Sequence, residues 1–255
     1  MIMMVINKGK LKKIVVFILI LLFIIGGIYY IIKNRTQDTM NMLDLAGNSQ
    51  PYTMGTTKNS GHVAITCNVD LGWEDEYIQK ILDTLDKENV KITFAVTGKW
   101  AQKNKDRLLE MQEKGHEIAN HGYQHLNYDT LSYEENLNQI KKSKEIIDTI
   151  TKKESRFFQA PSGAFGEETV KAANDLGYIC YKWDVDTIDW MDKDNPDNVV
   201  NRIKNKKIKD GSIVLMHPTK ATTMCLDDII SIIRTRGYIP GKLSDVFGGW
   251  EFSLV

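Results

Sequence analysis

Three of the five histidines in this 255-residue chain, His121, His125 and His217, stand directly after short apolar runs, and several carboxylates do the same. Asn68 and Asp70 follow HVAITC, His121 and His125 follow HEIAN, and Gln159, Pro161, Ser162 and Gly163 follow RFF. Asp184, Asp186 and Asp189 follow YICYKW, and His217 closes IVLM. If these runs are parallel strands, the side chains at their carboxyl ends meet at one mouth. Two imidazoles at i and i+4 can put two nitrogens on one divalent ion, and a carboxylate from another strand completes a facial set of three. Positions then stay open for water and for a substrate carbonyl oxygen, so that the metal acidifies one and polarises the other. A histidine on the opposite side, His217, is placed to donate a proton to a leaving amine. Taken singly these signals are weak: HxxxH pairs recur on exposed helices, and Asp70 ahead of Gly72 reads as a turn residue. Their conjunction at five strand ends is what points to a reaction centre. His62 and His116 fall at strand starts, the opposite end, and read as structural.

The elements that must position these residues are visible as alternation. The β-rich runs HVAITC, VKITFAV, HEIAN, RFFQA, YICYKW and GSIVLMH are separated by helical stretches such as EYIQKILDTLDKENV, LSYEENLNQIKKSKEIIDTIT and GEETVKAANDLGY. Ser132 with Glu135 predicts a capping box opening the long middle helix, and Gly177 predicts a helix stop. Such alternation predicts a parallel sheet under covering helices, either an open doubly wound sheet or a closed barrel. Cys67, Cys180 and Cys225 are odd in number and lack CxxC spacing; Cys67 and Cys180 read as core residues, though an external location would permit one disulfide.

Thirty-three basic and thirty-three acidic residues cancel, which gives no sign of a nucleic-acid partner. Between Lys13 and Lys33 lie nineteen uncharged residues, IVVFILILLFIIGGIYYII, long enough to cross a hydrocarbon core. The competing reading is a cleaved signal peptide, but the run exceeds a usual h-region and no small-x-small site follows it. The expected organisation is a cytoplasmic basic segment 1–13, a transmembrane helix 14–32, an extracellular stalk 33–60 and a catalytic-sized domain 61–255. The lysines before the span keep that end cytoplasmic and the domain outside the cell.

The motif order over residues 61–247 resembles the polysaccharide deacetylases, the carbohydrate esterases built on the NodB homology domain. TCNVDLG (66–72) stands for its TFDDG, GHEIANHGYQH (115–125) for its HxxxH segment, QAPSG (159–163) for its RPPYG, DVDTIDW (184–190) for its fourth motif and IVLMHPT (213–219) for its fifth. The resemblance implies a distorted (β/α) barrel and hydrolysis of N-acetyl groups from amino sugars in chitin-like polymers or peptidoglycan. It implies a divalent cation, zinc first with cobalt or manganese as alternatives, on Asp70, His121 and His125. It makes His217 the general acid and Asp189 its orienting carboxylate, has Gln159, Pro161, Ser162 and Gly163 shape the groove, and has Trp190 and Leu215 line the acetyl pocket. The NVD motif, the anchor and HPTKAT are most similar to the sporulation-associated branch. That implies a single-pass membrane protein facing cell-wall or spore-cortex glycan, outside the cell or in the intermembrane space of the forespore.

Two positions depart from the family together. Asn68 stands where the family has its general base, and Gln159 where it has the arginine that holds that base. An amide oxygen is scarcely basic, and losing both partners leaves no unpaired buried charge. Asp70 is then either the metal's carboxylate displaced by one position, or, with Val69 in the ligand register, a substitute base. Three functions follow: a deacetylase in which Asp70, Asp184 or hydroxide on the metal compensates, a non-catalytic glycan-binding relative, or a different metal amidase on the same barrel.

Overall fold

The computed structural model describes residues 8–248, which form two compact units divided between Leu45 and Ala46. Residues 1–7 of the expected basic segment and residues 249–255 of the expected domain lie outside the described residues.

The described part of the first unit is helical, within α1 (Lys8–Ala46), whose residues Lys12–Asn34 are long and apolar enough to cross a membrane. The stalk expected over 33–60 is corrected in two ways. No Gly or Pro interrupts the polar sequence after Lys33 until Gly47, so the helix continues to Ala46. Residues 52–57 then form a strap on the second unit. Tyr52 N–H donates to the Cys180 carbonyl, Lys182 N–H to Tyr52, Gly55 N–H to Gly211 and Thr57 N–H to Val246.

The second unit alternates strand and helix: β1 (His62–Val69), α2 (Asp75–Lys87), β2 (Thr93–Val96), α3 (Gly98–Lys103), α4 (Lys105–Glu113), β3 (Glu117–Asn120), α5 (Tyr133–Thr151), β4 (Phe157–Phe158) and α6 (Glu167–Asp175). It continues with β5 (Ile179–Cys180), β6 (Val185–Asp186), α7 (Pro196–Asn205), β7 (Ile213–Met216), α8 (Lys220–Thr235), β8 (Ile239–Gly241) and α9 (Leu243–Phe247). Every strand pairing is parallel, in the order β5-β4-β3-β2-β1-β7-β6, with β8 beside the start of β1. This curled sheet, open between β5 and β6, is the distorted barrel expected. The Ser132–Glu135 capping box is present, and α6 gives way to Gly177 at φ +78°.

Packing follows the period of the strand. Val63, Ile65, Cys67 and Val69 of β1 join the core under the helices, where α2 contributes Ile78, Ile81, Leu82 and Leu85 at helical spacing. Ala64, Thr66 and Asn68 therefore face the barrel interior. By the same parity Asn120 faces α5, donating to the Ile140 carbonyl, which turns Ala119 and His121 inward. All three cysteines are buried and free.

Candidate active site

At the end of β1 the inward parity delivers Asn68 and then Asp70 to the mouth of the barrel. Val69 is fully buried on the helix side, whereas Asp70 reaches the mouth. Asp70 does two things at once. Its Oδ1 accepts the Gly72 N–H at 2.6 Å, which makes the turn, and its Oδ2 lies 3.8 Å from His125 Nε2.

His121 and His125 lie on a tightly pinned loop rather than a helix. Gly122 N–H donates to Asn120 Oδ1, Gly98 N–H to the Gly122 carbonyl, Lys99 N–H to Tyr123, and the Tyr128 hydroxyl to Gln124. The two imidazole rings meet edge to face with centroids 5.7 Å apart. His121 is buried, and its Nδ1 donates to the Gln159 carbonyl at 2.8 Å, which leaves Nε2 as the free lone pair. Burial first, and the His125 imidazole second, hold His121 down at about 3. It is a neutral nitrogen donor over the physiological range.

Asn68 and Gln159 are the anomaly of the site. Both are buried, and Asn68 Oδ1 and both amide atoms of Gln159 lack a hydrogen-bond partner within the protein. Buried polar groups are nearly always paired, so two neutral amides that do not engage one another stand out here.

Across the mouth, the fully buried Asp189 accepts from His217 Nδ1 at 2.8 Å on one oxygen. Its other oxygen takes the His217 N–H and the Thr222 hydroxyl, each at 2.6 Å. The imidazole is thereby set with Nδ1–H toward Asp189 and Nε2 toward the site. Trp73 covers His217, with ring centroids 5.4 Å apart, and Lys193 Nζ sits 5.3 Å from the Trp73 ring.

The sequence expectations fare unevenly around this centre. Leu215 is buried on the inward face of β7 beneath His217, and Pro161–Gly163 form a 3-10 turn that packs on Trp183 and Lys182. Trp190 is 47% exposed, so it stands on the rim instead of enclosing a pocket. Asp184 is not in the site at all. YICYKW breaks into a two-residue strand and a loop, so Asp184 precedes β6 instead of following a strand, and its oxygens accept from Ser212 Oγ and Ile213 N–H at 2.8 Å each. Trp73 and Thr222 were missed. The only hints were an aromatic three residues past Asp70, and a Thr-x-x-Thr pattern opening a helix after HPT.

Two imidazoles and a carboxylate are donors that suit a divalent cation, and the fixed His121 tautomer is what a ligand nitrogen requires. Among the described residues, however, no three His, Cys, Asp or Glu side chains are drawn together as a closed ligand set. The 3.8 Å between Asp70 Oδ2 and His125 Nε2 exceeds the roughly 3.0–3.4 Å between neighbouring ligands on bonds of about 2.1 Å. The donor types fit, and their spacing is a few tenths of an ångström too wide.

A curled parallel sheet with these groups at its carboxyl ends is the fold shared with the CE4 carbohydrate esterases. Residues 56–181 match the polysaccharide deacetylase profile. Over 191 residues the chain is 32% identical to the peptidoglycan-N-acetylglucosamine deacetylase of Bacillus cereus, covering 73% of this chain and 68% of that protein. The uncharacterized protein YlxY of Bacillus subtilis is 33% identical over 178 residues, 70% of this chain but only 55% of YlxY. Among solved structures, a CE4-family pseudoenzyme of Bacillus anthracis superposes with a TM-score of 0.73 at 37% identity, covering 78% of this chain and 69% of that one. A mutant of that pseudoenzyme with restored enzymatic activity superposes equally well. The chain belongs to the polysaccharide deacetylase family.

Proposed function

We propose that this chain is a membrane-anchored, peptidoglycan-directed deacetylase homologue that binds N-acetylated amino-sugar glycan without efficient turnover. The observation that carries this reading is the buried, unpartnered pair Asn68 and Gln159 in the place of the family's base and its arginine. A general base contributes about 10²- to 10⁴-fold to such a reaction, and an amide supplies none of it.

The remaining parts keep their roles. Asp70, His121 and His125 would hold a divalent cation, zinc before cobalt or manganese, which when bound supplies Lewis-acid polarisation of an acyl oxygen. His217 holds a proton at Nε2 for a departing amine, fixed in that orientation by Asp189. Leu215 and the Pro161–Gly163 turn form walls, and exposed Trp190 offers a face to a sugar ring. The substrate class follows the Bacillus cereus relative, named for peptidoglycan N-acetylglucosamine, and the pseudoenzyme at 37% identity is a precedent for silence within this fold. The apolar run Lys12–Asn34 buries its side chains in lipid, and the lysines ahead of it keep the domain outside the cell. NVD and HPTKAT suggest the spore cortex as the setting. A second reading, a working deacetylase, draws support from the intact Asp189–His217 pair.

Acetate release from N-acetylglucosamine oligomers and peptidoglycan fragments, with zinc, cobalt or manganese present, separates the two. The full chain is expected to turn over at least about 100-fold more slowly than its Asn68→Asp/Gln159→Arg variant, while binding the same oligomers. Equal rates for the two would replace this reading with the working enzyme. Absence of both acetate and glycan binding in either form would remove the substrate assignment.

A further inference from the structure

Asp189 sits in irregular chain between β6 and α7, directly after Ile188 at φ +51°, so no ladder or helix holds its side chain. It is fully buried, and its ion-pair partner among the described residues is His217. Of the three hydrogen bonds its oxygens accept, one comes from the His217 ring, the group to be oriented, and one from the His217 backbone N–H just past the end of β7. The third comes from Thr222 Oγ1 at 2.6 Å, on a different element. That hydroxyl and the His217 backbone N–H together pin one carboxylate oxygen, and Thr222 is the side chain that does so from outside His217.

We propose that Thr222 is a positioning residue, whose hydroxyl, in the first turn of α8, locks the Asp189 carboxylate so that its free oxygen stays aimed at His217 Nδ1. A carboxylate only accepts, so the single Thr222 proton points at Asp189. Thr219 Oγ1, 3.0 Å from Thr222 Oγ1, must then donate to it, while accepting the Thr222 N–H as helix cap. The hydroxyls form a directed chain, Thr219 to Thr222 to Asp189, answered by His217 Nδ1–H on the other oxygen. α8 is 16 residues long, and its amino end adds a favourable field for the anion. The same end is fastened to the rim, because Ala221 N–H donates to the Lys193 carbonyl at 2.6 Å. Fixing Asp189 fixes the tautomer and direction of His217, which is the property a proton donor at Nε2 needs. That last step rests on the function proposed above; the locking does not.

The test reads the His217 Nδ1 proton by nitrogen-edited NMR on the full chain in detergent micelles. Thr222→Val is nearly isosteric and removes one charge-assisted hydrogen bond, so exchange of that proton with water is expected to quicken by about ten-fold or more, with Thr222→Ser restoring the wild-type rate. A Thr222→Val chain that keeps the wild-type resonance and exchange rate overturns the proposal, even if its stability has fallen. The Thr222 hydroxyl proton of the wild-type chain gives a second readout that needs no variant: protection from exchange supports the lock, and averaging with water refutes it. In the Asn68→Asp/Gln159→Arg background, Thr222→Val is expected to lower kcat about ten-fold at unchanged KM. If that background neither releases acetate nor binds the glycan the proposed function fails, while the NMR result still decides the lock.

Discussion

His116 accepts the Ile92 N–H on Nδ1 and is buried just ahead of β3, and burial first, then the Lys91 charge, hold it down at about 4. Unfolded, it titrates near 6.5, so between those values the unfolded chain binds the extra proton and stability rises with pH. The contribution is complete above pH 6.5, is lost as the pH falls toward 4, and amounts to about 3 kcal/mol at most. Urea midpoints measured at pH 7.5 and 4.5 should fall with acid, and His116→Asn, which keeps an acceptor for Ile92 but cannot titrate, should fall less. At this scale the sequence was informative about placement: Asp70, His121, His125 and His217, read as following strands, do stand at the carboxyl ends of the sheet. It misled at Asp184, because an apolar run that reads as one strand contains a break. It was silent on Trp73 and Thr222, whose partners lie more than thirty positions or one helix away and exist only after packing.

Between the two histidines of the loop, Gly122 has φ +74°, and a Cβ there would lie 1.9 Å from the Tyr128 hydroxyl. Gly122→Ala therefore meets both a backbone conformation that L residues avoid and a buried aromatic that cannot retreat. A loss of about 2 kcal/mol or more in denaturant midpoint is expected, together with loosened pairing of His121 to the Gln159 carbonyl. Elements were legible where local chemistry decides them, as in the Ser132–Glu135 box or the four-residue spacing of α2. The stalk was misread because polar composition was taken for irregular chain, whereas helix termination depends on a breaker, and none occurs between Lys33 and Gly47. The sequence left open sheet and closed barrel undecided, since closure is a property of strand tilt and long-range pairing.

The domain begins at the strap, well before residue 61. A soluble chain starting at residue 61 loses the Tyr52–Phe247 ring contact and the backbone bonds of Tyr52, Gly55 and Thr57. It should be less stable than one starting at residue 46 by about 2–4 kcal/mol in urea unfolding. Gly55 shows how closely the strap is seated, because a Cβ there would stand 2.4 Å from the Val246 carbonyl oxygen. The strap pairs at Tyr52 with Tyr181, just past the marginal strand β5, with parallel polarity, and at Met54 with Ser212, just ahead of β7, with antiparallel polarity. It thus links the β5 margin to the start of β7, past the gap that the strands leave open between β5 and β6. Removing the strap would withdraw both bridges at once and leave Tyr181 and Ser212 without that link.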